Sequence, residues 1–169
     1  MTVQAAQTFA AAIALPTAKL QADAVLDTNS IFLSMSSDEE LVKFGILQDQ
    51  VIVVTPKSFS PSPGVQAGGG RNNFRWEGVV SVKLWNRLYV DQAGRDDKWI
   101  THSTLGMALL IHNVVNSLEQ YMPTDGSGNY YFTQPMRLLS PGAVFPPKRV
   151  GEWGVITLDF SMQWQESLT

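Results

Sequence analysis

Two stretches of this chain read as unusually long β-strands, and they limit the fold more than any other feature. "RWEGVVSVKLWNRLYV" runs from Arg75 to Val90, and "GEWGVITLDFSMQW" runs from Gly151 to Trp164. In the first, Trp76, Gly78, Val80, Val82, Leu84, Asn86 and Leu88 alternate with Arg75, Glu77, Val79, Ser81, Lys83, Trp85 and Arg87. In the second, Ile156, Leu158, Phe160, Met162 and Trp164 share one face, opposite Val155, Thr157, Asp159, Ser161 and Gln163. A period of two with one mainly apolar face belongs to a half-buried strand. Such strands need an apolar layer against them. "STLGMALLIHNVVNSLEQYM" supplies one, because Met107, Leu110, Ile111, Val114, Leu118 and Tyr121 recur at helical spacing. Ser103 is placed to cap this helix, and Pro123 with "TDGSGN" to close it. Leu110, Val114 and Leu118 are expected to pack on Val80, Val82, Ile156 and Leu158.

The rest of the chain fills in around this unit. Residues Val3 to about Leu15 read as an alanine-rich helix that Pro16 breaks or kinks, with a second helical piece over Ala18–Leu26. "SIFLSM" is a short strand candidate. In "SSDEELVKFGIL", Ser36 or Ser37 can cap a helix, Asp38, Glu39 and Glu40 suit its first turn, and Gly45 suits its end. "QDQVIVVTP" reads as a β-branched strand stopped by Pro56. "YYFTQPMRLLSP" is a further strand, and Pro135 inside it points to an edge or a bulge. "GAVFPPKRVG" reads as a turn into the last strand. The order is α-β-α-β-β-α-β-β in one domain, which 169 residues can build with a substantial core. The fold class expected is α+β: a mainly antiparallel sheet with one long helix packed on it plus an N-terminal helix.

Residues 57–74 stand apart. "PKSFSPSPGVQAGGGRNN", from Pro56 to Asn73, is dense in Pro, Gly and Ser, and the segment reads as a flexible arm. Its "GGGR" lacks the Gly-Lys-Ser/Thr ending of a phosphate loop and does not lead into a helix. Phe59 and Val65 are the arm's apolar anchors, and Arg71 is its only charge after Lys57.

Composition removes several function classes. The chain has no cysteine, which excludes disulfides and thiolate chemistry. Only 16% of residues are charged and the net charge is −3, so no strong basic field attracts nucleic acid or anionic lipid. The start, "AAQTFAAAIAL", lacks a basic leader region and reads as an amphipathic helix rather than a secretory signal. No apolar run approaches the ~20 residues of a membrane span. His102 and His112 miss the spacing of a helical metal pair. Asp96, Asp97 and His102 do fall close together in "GRDDKWITH". A metal or acid–base role there stands against the favoured reading, a polar loop with solvated acids. Lys83, Arg87, Arg95, Lys98, Lys148 and Arg149 with Trp85 and Trp99 would make a base-stacking patch, but the acidic balance argues against it. No catalytic residue, cofactor or metal ligand is assigned, and the chain is not read as an enzyme.

Lengths point elsewhere. The ribbon from Arg75 to Leu88 reaches about 45 Å at ~3.3 Å per residue. The helix from Thr104 to Tyr121 covers about 27 Å at ~1.5 Å per residue. One helix cannot cover such a ribbon. Trp85, Tyr89 and Trp164 are therefore expected to bend away or to be covered from outside the chain, as are Phe59, Val65 and Arg71 of the arm.

In its run "WEGVVSVKLWNR", its acidic loop, its helix "LGMALLIHNVVNSLEQYMP", its strand "FTQPMRLLSP" and its closing "GEWGVITLDFSMQW", the chain resembles the neck proteins of long-tailed bacteriophages. It is most similar to the tail terminator group. The resemblance covers about residues 50–165 and lies in order, length and strand character. It implies helices on a curved antiparallel sheet and a homo-oligomeric, hexameric ring in the virion, made in the host cytoplasm. It also implies as partners the tail tube protein and the head-completion or connector protein, with DNA passing through the lumen without specific binding. A head-completion or stopper role shares the ring habit and stays open. So does a small ligand-binding or hydrolytic domain built on the Asp96–His102 loop.

Overall fold

In the computed structural model, residues 9–26, 30–43, 50–61, 73–87, 106–124, 127–140, 142–143, 148–150 and 152–167 are described. The long strands are the spine. β3 (Asn73–Arg87) and β6 (Trp153–Ser167) pair antiparallel without a register break, from Asn73 opposite Ser167 to Arg87 opposite Trp153. β2 (Gln50–Pro61) pairs antiparallel with the other edge of β3. β1 (Ser30–Leu33) adds to β2 in parallel. On the far side of β6 lie β4 (Phe132–Leu138) and β5 (Lys148–Val150), both antiparallel to it. The strand order is β1-β2-β3-β6-β4, with β5 also on β6. The fold is thus a mixed α/β layer on a six-stranded, mostly antiparallel sheet.

Alternation along the spine sorts its side chains into two cores. Val80, Val82 and Leu84 of β3, Ile156, Leu158, Phe160, Met162 and Trp164 of β6, and Ile52 and Val54 of β2 lie in one cluster. Ala12, Leu20, Met107, Leu110, Val114 and Leu118 complete it from two helices. These are α1 (Phe9–Gln21) and α3 (Met107–Leu118). The expected packing of Leu110, Val114 and Leu118 against Val80, Val82, Ile156 and Leu158 holds. The opposite parity, Val51, Val53, Trp85, Trp153 and Val155, forms a second cluster with Leu41 of α2 (Asp38–Lys43).

Several expectations need correction. The helical layer is not one long helix, because α1 and α3 have 13 and 12 residues and share the first face. Pro16 does not end α1. It is buried on the stripe formed by Ala12, Ile13, Thr17 and Leu20, and packing along that stripe offsets a local cost of about 3 kcal/mol. Pro56 does not stop β2. It sits beyond the stretch that β1 covers, beside a register shift between Pro56 and Ser58, where a missing N–H breaks no bond to β1. The strand therefore takes in Lys57–Pro61, the first part of the expected arm, while residues 62–72 lie outside the described residues. Lys148–Val150, expected in a turn, is strand β5.

Other readings hold. Ser37 caps α2 reciprocally: its Oγ accepts the Glu40 N–H at 3.3 Å, and the Glu40 carboxylate accepts the Ser37 N–H at 2.9 Å. Pro135 lies in an edge strand with two register shifts. Gly106, rather than Ser103, holds the N-cap position of α3; Ser103 and Gly45 lie outside the described residues. At its other end α3 docks on β4. Gln120 takes a positive φ of 65°, its N–H donates to the Met136 carbonyl, and the Glu119 carboxylate accepts the Leu138 N–H at 2.6 Å.

Leu110 is 2% exposed at the centre of the first core. Leu110→Ala is expected to cost ~2–5 kcal/mol in urea unfolding. A loss under about 0.5 kcal/mol would place this side chain at the surface and overturn the packing.

Candidate functional site

The far end of the ribbon lies where the apolar face was expected to be left bare. There the cross-strand neighbours are aromatic. Phe59 of β2 sits opposite Gly78, Trp76 of β3 opposite Trp164, and Phe132 of β4 also opposite Trp164. The rings of Trp76 and Trp164 stack at 6.3 Å and 13°. Phe59 meets Trp164 edge-on at 5.6 Å, and Tyr121 meets Phe132 edge-on at 6.3 Å. This belt spans four strands and closes the face with the chain's own side chains. Gly78 is the gap that admits it, since a Cβ there would run into the Phe59 ring and lie 3.1 Å from Trp164.

This arrangement corrects the expected exposure of the tryptophans. Trp164 is fully buried in the belt. Trp85 is fully buried in the second core, edge-on to Trp153 at 6.4 Å. Phe59 is half-buried against the first core rather than carried on an arm. Val65, Arg71 and Tyr89 lie outside the described residues, as does the Asp96–His102 loop. The structure brings Phe59 and Trp164 together and puts Trp85 on the other side of the sheet.

The second face is divided. Next to the α2 cluster, Asp38 binds both Lys83 of β3 at 2.7 Å and Lys148 of β5 at 3.0 Å. Burial opposes ionisation of Asp38 and is the largest single influence. The hydrogen bonds and charges of the two lysines together outweigh it, and the carboxyl titrates below its usual range. Farther along, Asp159 accepts the Ser81 hydroxyl at 2.6 Å and pairs with Lys57. Gln163 donates to its register partner Glu77 at 3.0 Å.

The Ser81–Asp159–Lys57 set invites a nucleophile reading, and its geometry refuses one. Ser81 is only 6% exposed, and its proton is committed to a carboxylate whose charge Lys57 already offsets. Among the described residues no group of three or more His, Cys, Asp or Glu could hold a metal ion. An open groove of about 410 Å³ lies between Ile13 of α1, Met35 and the outer half of β2, lined there by Pro56, Lys57, Ser58 and Phe59. The described surface thus carries a polar face with an ion pair and a shallow, mainly apolar groove beside the buried aromatic belt. The Asp38 clamp was not legible beforehand, because only its place in the first turn of a helix shows in the sequence, not two lysines 45 and 110 positions away.

Gly78→Ala should push Phe59 from its place against Trp164 and cost ~1–3 kcal/mol, with a changed near-ultraviolet tryptophan signal. Unaltered spectrum and stability would mean that the belt does not need this gap. Asp38→Asn should cost about 1–3 kcal/mol at pH 7. Because the folded-state pKa of Asp38 is depressed, its stabilisation is complete above the unfolded value of about 3.9 and fades as pH falls through the folded value. The wild type and Asp38→Asn should therefore converge in stability toward the acid end of a pH series. A difference that persists there would assign the effect to packing rather than charge.

A scan of the chain against protein-family models and a search of curated proteins give no match.

Proposed function

We propose that this protein is a structural subunit of a bacteriophage virion, a tail terminator that forms a ring on the tail tube and presents a surface to the head connector. The observation that carries the reading is the layout. An N-terminal helix and a second helix share one face of a mostly antiparallel sheet whose two central strands pair over fifteen residues. The second helix and the long strands follow the order and proportion of the resemblance over about residues 50–165, and the N-terminal helix before them is consistent with the same group. In the proposed ring the sheet curves around the lumen, and six copies is the number that the resemblance implies. The polar half of the second face adds support: Lys57 offsets Asp159 there and Gln163 donates to Glu77, which reduces what that wall offers passing DNA.

No helix among the described residues is long and apolar enough to cross a membrane. The partners follow from the role: further copies of this chain, the tube protein below and a head-completion protein above. A stopper role uses the same ring and differs in where it acts.

Two measurements test the proposal. Native mass spectrometry or negative-stain microscopy should show a closed ring, alone or on isolated tails; a monomer inside intact particles would end the reading. Removing the chain from an infection then separates the two roles. Loss of a terminator should leave tubes of uncontrolled length, whereas loss of a stopper should leave normal tubes and heads that do not retain DNA.

A further inference from the structure

The edges of the sheet are not equally guarded. The outer half of β2 carries Pro56, a register shift and Pro61. β5 presents Lys148 and Arg149. β4 carries Pro135 and two register shifts, and backbone bonds from Gln120 and Tyr121 occupy its outer side. Prolines, bulges, charges and covering backbone are the devices that keep strand edges from pairing. β1 has none of these: Ser30–Leu33 contains no proline, charge or bulge, and neither do the two residues after it. Among the described residues no strand lies on its outer edge. Among the described residues, three of the four exposed large apolar side chains, Val25, Leu33 and Met35, lie in the segment around it.

The backbone of β1 settles how it could pair. Ser34 donates its N–H to the Val54 carbonyl, so even-numbered residues turn their polar groups toward β2. Ile31 and Leu33 then turn theirs outward, and the Gln21 side chain reaches the Ile31 carbonyl from that side at 2.7 Å. An antiparallel copy of β1 related by a two-fold axis through Phe32 would place Ile31 opposite Leu33 of the second copy, and Leu33 opposite Ile31 of the second copy. Both are outward-facing residues, so each pair can exchange two N–H···O bonds once the exposed Gln21 side chain gives up the Ile31 carbonyl. Both are apolar on the same side of the sheet, and no charge faces its like.

We propose that β1 is a self-complementary edge through which two copies of this chain pair, joining their sheets across a two-fold axis. A two-fold contact uses the same patch on both copies and cannot close a head-to-tail ring. It therefore joins two free subunits, or two rings, and stands apart from the ring contact itself.

The test is mass and cross-linking on the full chain. Leu33→Lys introduces an edge charge at a 43% exposed position. It should halve the mass seen for the wild type by native mass spectrometry while leaving the melting temperature nearly unchanged. The absence of cysteine gives a clean second readout. Phe32→Cys lies on the proposed axis, where antiparallel partners approach to about 4.5 Å between Cα atoms, so mild oxidation should give a disulfide-linked dimer. Val25→Cys, more exposed but off the axis, should give far less. A wild type that stays monomeric at all concentrations, an unchanged mass for Leu33→Lys, or equal cross-linking of the two cysteine variants would each overturn the proposal. Should Leu33→Lys fail to fold, the cysteine pair decides alone. A ring that persists in Leu33→Lys at half the wild-type mass would support both readings, and a ring of unchanged mass would remove only this one.

Discussion

The uninterrupted pairing of β3 with β6 is the constraint on which the other elements depend. Fifteen consecutive partners fix the register, and because side chains alternate, a slip of one residue would turn both cores inside out. Both strands are central, with β2 on one side of the pair and β4 and β5 on the other. That central place explains why the alternation has to serve two apolar layers at one end and only one at the other. Near Trp85 and Trp153 both faces are buried; near Ser81, Asp159 and Gln163 the second face turns polar.

The covering layers follow from that division. α1 and α3 supply Leu20, Leu110, Val114 and Leu118 to the first face. Beyond their reach the strands cover themselves, with Phe59, Trp76, Trp164 and Phe132 laid across neighbouring strands. A large ring buries much apolar area with few rotatable bonds, which suits it to a face that no helix spans. On the second face α2 is too short to be stable alone. It is held by Leu41 beneath it, by its capping box, and by Asp38 bound to two strands.

On the polar half of the second face Asp159 meets Ser81 and Lys57, and Glu77 meets Gln163. The tryptophans once expected at a subunit interface are spent inside the monomer. Under the proposed pairing, copies meet at the small exposed apolar set around β1, where backbone groups rather than aromatic anchors supply the bonding.

Much of this was readable from residue order. The alternation in β3 and β6, the helical stripe of α3 and its packing partners, the Ser37 cap and the edge character of β4 are local patterns, and local patterns survive in sequence. Proline was misread twice for a shared reason. Pro16 and Pro56 carry the right local penalty, but whether it ends an element depends on what packs beside it, and that is set elsewhere in the chain. The fates of Trp85 and Trp164 were likewise out of reach. An alternating strand states which residues share a face, not whether a helix such as α2 or a neighbouring ring such as Phe59 will cover it. The sequence by itself determined the two long strands, their faces and the helix that lies between them. Only the tertiary structure decided which faces were closed from within, because covering is a matter of distance between segments far apart in the chain, and periodicity carries no record of it.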